Sequence, residues 1–100
     1  MYMELQIIRQ EVEQLEDEDG VPYEKPIDDA WTQKTYSFDL RQVRIYAFES
    51  TEIMQNKCTI VYLNNDEVVI YPKNFEHFKK NVLPKYDHLL KQLSVLPFSN

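Results

Sequence analysis

Glycine is almost absent, with Gly20 the only one in 100 residues. A loop that cradles phosphate needs several backbone positions free of a Cβ, so P-loop and dinucleotide-fingerprint chemistry is excluded. Cysteine is as scarce: Cys58 stands alone and cannot form an internal disulfide, which fits a reducing compartment. No apolar run approaches the roughly 18 residues of a membrane span. Met1-Tyr2-Met3-Glu4 lacks the basic and apolar regions of a secretory leader. The expectation is a cytoplasmic chain with no membrane partner.

Reactive groups are few. His77 and His88 lie eleven residues apart, so one helical face cannot present both to a metal. Neither a His-Glu-x-x-His nor a Gly-x-Ser-x-Gly motif occurs. Cys58 would need a neighbouring imidazole or cation to become a nucleophile. A glycosidase-like pair needs two carboxyl groups held about 5–10 Å apart in a cleft, whereas a run of neighbouring acids is solvated and self-repelling. The sequence therefore predicts no enzyme, no catalytic residues, no metal site and no cofactor.

Acid is what the chain has in plenty, and it is unevenly placed. The net charge is −6, yet residues 1–30 hold ten acids against Arg9 and Lys25, while residues 31–100 hold seven acids and nine bases. The densest block, Glu16-Asp17-Glu18-Asp19, is a solubilising loop or a patch for a basic partner. The C-terminal lysines Lys73, Lys79, Lys80, Lys85 and Lys91 interleave with Phe75, Phe78 and Tyr86. Those aromatics fall where a core needs them, and a pI near 4.8 repels polyanions. Direct nucleic-acid binding is not expected.

Periodicity predicts one α+β domain over residues 1–100. Leu5, Ile8, Val12 and Leu15 follow helical spacing, which favours a helix over 4–16. The alternation Met1, Met3, Leu5, Ile7 supports a strand instead, with Asp19-Gly20 as a hairpin turn. Residues 17–33, with Pro22, Pro26 and Asp28-Asp29, read as an acidic loop. Thr35–Asp39 and Val43–Phe48 are strand candidates, followed by a loop over 49–57. Residues 58–71 form a central hairpin around Asn64-Asn65-Asp66. Helices follow over 74–83, capped by Asn74, and 85–95, separated by Pro84 and ended by Pro97. The expected architecture is a small antiparallel sheet packed against the two C-terminal helices.

The hairpin is apolar on both faces: Ile60 and Tyr62 point one way, Val61 and Leu63 the other, and Val68/Ile70 oppose Val69/Tyr71. A sheet with one solvated face should alternate apolar with polar. Two short helices can shelter only one side. The other calls for the N-terminal segment, the loop before Trp31, or another chain. Seven tyrosines supply amphipathic surface suited to interfaces.

These features predict a small, acidic, non-enzymatic protein-interaction module that is oligomeric, with a homodimer as the simplest form. Its candidate partner-binding residues are the acidic patch Glu16, Asp17, Glu18 and Asp19 and the aromatic anchors Tyr23, Trp31, Tyr36 and Tyr46, with Tyr2 beside them. The alternative is an acidic inhibitor that imitates nucleic acid in the basic groove of a host or defence enzyme, a role suited to phage or mobile-element chains. A weaker alternative is a small-ligand sponge built at an oligomer interface.

Overall fold

Met3, Leu5 and Ile7 are buried while Tyr2, Glu4 and Gln6 between them are exposed, the period-two signature of a strand. The computed structural model, which describes residues 1–95, accordingly opens with a long strand, β1 (Tyr2–Glu16). The helix expected over 4–16 does not form. Its apparent face is divided among environments: Leu5 is buried, Ile8 and Leu15 are half-buried, and Val12 is exposed.

A tight turn returns the chain as β2 (Pro22–Asp39), paired antiparallel with β1 from Tyr2↔Asp39 to Glu16↔Pro22. Most of the expected loop over 17–33 is therefore strand. Pro22 and Pro26 are tolerated because β2 lies at the sheet edge, where a missing amide need not break a ladder. The loop expected over 49–57 is also replaced. Strand β3 (Ile45–Ile53) runs into a two-residue turn, Met54-Gln55, and pairs with β4 (Asn56–Leu63). The predicted central hairpin is present as β4 and β5 (Val68–Tyr71), with Asp66 in the left-handed region at φ 67°.

The five strands are ordered β2-β1-β5-β4-β3 and every pairing is antiparallel. Two helices follow, α1 (Phe75–Asn81) and α2 (Leu83–Val95). Asn74 caps α1, its side chain accepting the His77 amide at 2.9 Å. The bend lies at Val82 rather than at Pro84, and Val82 N–H→Phe78 O (2.9 Å) and Tyr86 N–H→Val82 O (3.0 Å) carry hydrogen bonding through it. Pro84 sits in the first turn of α2, where its missing amide leaves no helical bond unmade. Pro97, the expected terminator, lies outside the described residues.

Both helices cover the same face. Phe78, Val82 and Tyr86 pack with Met3, Leu5, Ile7, Phe38, Val61, Leu63, Val69 and Tyr71 in one buried cluster. Phe48 meets Phe75 and Phe78 at centroid distances of 5.3 and 5.2 Å. The Tyr86 hydroxyl reaches back to accept the Ile45 amide at 3.0 Å, tying α2 to β3. Among the described residues no buried side-chain nitrogen or oxygen lacks a partner, as a settled core requires.

Candidate interaction surface

The N-terminal segment extends the sheet instead of covering it, so the face away from the helices stays open. Its centre is a row fixed by strand register: Ile8 on β1 stands opposite Ile70 on β5, and Ile70 opposite Ile60 on β4. One level away, Val68 pairs with Tyr62, and the Tyr46 ring lies 6.1 Å from that of Tyr62. The Tyr62 hydroxyl donates to Glu49; this bond, together with burial, raises its pKa above the ordinary phenol value. Ile8, Ile60 and Ile70 are half-buried by their neighbours, while Val68 and Tyr46 remain 53% and 68% exposed.

Ile8 also lines a groove of about 410 Å³ with Trp31, Ile53, Met54, Cys58 and Pro72. Lys57 and Lys73 are part of the same lining, and no carboxylate is. The Cys58 thiol donates to the Asn56 carbonyl at 3.6 Å, and burial pushes its pKa up, away from nucleophilic use. His77 is occupied elsewhere, its Nδ1 lying 2.7 Å from the Tyr71 hydroxyl. Among the described residues no group of three or more His, Cys, Asp or Glu could hold a metal ion. No described helix is long and apolar enough to cross a membrane.

Beyond Gln10 the β1–β2 ribbon leaves the sheet as a two-stranded arm, with a register shift between Gln10 and Val12. This gives the molecule extents of 60 × 32 × 18 Å. Cross-strand polar contacts hold the ribbon together. Thr32 Oγ1 donates to Glu11 at 2.8 Å, Gln14 Nε2 to Glu24 at 3.0 Å, and Gln10 Nε2 to the Ile27 carbonyl at 3.2 Å. At the tip Gly20 adopts φ 78°, and Asp17 Oδ1 accepts the amides of Asp19 (2.9 Å) and Val21 (2.8 Å).

The predicted site residues are thus dispersed. Glu16, Asp17, Glu18 and Asp19 sit exposed at the arm tip, where Asp17 shapes the turn. Tyr23 lies on the arm opposite Leu15. Trp31 stands at the arm's base, its indole N–H donating to the Asp28 carbonyl at 3.3 Å, and lines the groove. Tyr46 belongs to the open face. Tyr36 does not: it packs on the core side, 5.8 Å from the Phe38 ring, with its hydroxyl accepting from Asn65 at 3.4 Å. Tyr2 is exposed at the sheet corner opposite Asp39. Ile8 was missed by sequence reasoning. The Met1–Ile7 alternation carried its signal, because an apolar residue at the next even position must face the other way.

Comparison with protein-family models, with curated proteins and with solved structures found no match.

Proposed function

We propose that this chain is a non-enzymatic protein-interaction module whose working surface is the open face of its sheet. The observation that carries the proposal is the isoleucine row Ile8–Ile70–Ile60, continued by Val68, Tyr62 and Tyr46. Contiguous apolar surface on a sheet without a covering layer is stabilised by burial at about 25 cal/mol per Å². Aromatic rings at its margin are the usual anchors of such contacts. A photo-crosslinking side chain placed at residue 60 or 68 should capture a protein in the native cell. The same group at Lys85, exposed on α2, should not. Equal capture at both places, or none at residues 60 and 68, would refute the proposal.

A second function is favoured by the acidic arm. Nine acids and one base occupy residues 11–29, and none of those acids is ion-paired among the described residues. A projecting ribbon of carboxylates suits a basic groove and supports an inhibitor that imitates nucleic acid. Binding of that kind should weaken steeply with salt and vanish on charge reversal at Glu16 and Glu18. Insensitivity to salt would remove it.

A further inference from the structure

The exposed large apolar residues are not scattered. Val12, Val21, Tyr23 and Ile27 stand on the arm, and Tyr46, Met54 and Val68 on the open face or its groove; Tyr2 is the one other such residue among those described. Apolar side chains on a lone ribbon are costly, because a two-stranded hairpin is marginally stable in water without a surface to pack against. The arm reaches past its own sheet, and beyond Gln10 its two strands pair only with each other. It therefore lacks an intramolecular partner among the described residues, as the open face does.

The two surfaces are complementary in charge as well as in polarity. Residues 11–29 carry Glu11, Glu13, Glu16, Asp17, Glu18, Asp19, Glu24, Asp28 and Asp29 against Lys25 alone. The remaining residues hold eight acids and ten bases. Where the open face deepens into the groove, Lys57 and Lys73 line it and no acid does. An apolar trough with two cations fits an apolar ribbon edged with carboxylates. Self-association through the bare isoleucine rows alone would leave the arms unpacked.

Building on the interaction role proposed above, we propose that the open face is occupied by the acidic arm of a second copy of this chain. The exchange is reciprocal about a twofold axis. Each arm lays Leu15, Tyr23 and Ile27, which share one face of the ribbon, over the partner's Ile8–Ile70–Ile60 row and brings its carboxylates to Lys57 and Lys73. Such an isologous contact closes on itself and leaves no surface for further growth. Two arms seated at once can reach the roughly 1,200–2,000 Å² typical of a stable interface.

Charge-swap complementation tests this. By light scattering, the full chain should have twice its 12.1 kDa mass. Lys57→Glu/Lys73→Glu and Glu16→Lys/Glu18→Lys alter exposed positions and should keep the wild-type circular dichroism spectrum. Each alone should associate on the order of 100-fold more weakly. An equimolar mixture of the two should regain the dimer mass, because both arm–groove pairings of the mixed dimer join opposite charges. A wild-type monomer throughout a dilution series overturns the arm exchange, as does a dimer untouched by either double variant or a mixture that stays monomeric. Capture of a different protein at residue 60 by a monomeric chain would sink the exchange and leave the interaction role standing. No capture at residues 60 and 68 would remove both.

Discussion

Met54 and Gln55 occupy the β3–β4 turn with φ of 51° and 66°. A two-residue hairpin turn with both central φ positive is the type I′ geometry, which favours Asn-Gly because L side chains with a Cβ are strained there. This explains why the sequence read as a loop over 49–57: the usual turn residues are missing, and strand pairing imposes the turn. Replacing Met54→Asn and Gln55→Gly together should stabilise the fold by about 1 kcal/mol. A rise of about 4–8 °C in melting temperature, measured by calorimetry, would bear this out, and a fall would contradict the turn assignment. Asp39 gives a pH-dependent counterpart. Its carboxylate accepts bonds from the Arg41 guanidinium at 2.8–3.1 Å and from the Arg41 amide at 3.0 Å. The side-chain bond first, and then the amide, hold its pKa well below the usual carboxylate range. Because the folded pKa lies below the unfolded one, the stabilisation is complete above about pH 4 and is lost progressively as pH falls further. Urea midpoints of wild type and Asp39→Asn should differ most near neutrality and converge in acid. A gap that stays constant from pH 7 to strong acid would show that the ionised carboxylate is not its source.

Among the elements, α1 depends most on a single residue. Its seven residues are too few to persist alone, and Asn74 satisfies an amide that the short helix would leave bare. Asn74→Ala should cost about 1 kcal/mol while Asn74→Ser recovers most of it, as read from chemical denaturation. This cap was legible in the sequence because Asn followed by Phe75, Phe78 and Val82 states both the start and the buried face. So was the β4–β5 hairpin, whose β-branched runs flank Asn64-Asn65-Asp66. Strand β1 was not. Leu5, Ile8, Val12 and Leu15 imitate a helical stripe, yet they serve three environments: the core, the open face and the arm. Periodicity assumes one burial direction along an element, and a strand that leaves its sheet midway breaks that assumption. The acidic run hid β2 for a related reason. Charge and proline signal solvent, and an edge ribbon projecting into solvent tolerates both.

At the scale of the whole molecule, strand β4 carries the division of labour within adjacent residues. Val61 is fully buried against the helices, while Ile60 faces the open side. The same strand therefore offers a stability probe and an association probe one residue apart. Shortening Val61 to Ala removes buried methyl groups and leaves a void, which should cost about 2 kcal/mol whatever the protein concentration. Replacing Ile60 with Thr keeps β-branching and strand propensity and removes apolar area only from the open face. If that face is where association occurs, melting of the wild type should rise with concentration, since assembly stabilises by mass action. Ile60→Thr should flatten that rise while melting close to wild type at high dilution. Val61→Ala should melt lower throughout and keep the concentration dependence. The two-faced apolar pattern of the hairpin showed from the amino acids alone that its second face called for cover. What they did not disclose was that the N-terminal third would widen the sheet instead of roofing it, because choosing between those placements depends on long-range pairing and not on any local pattern.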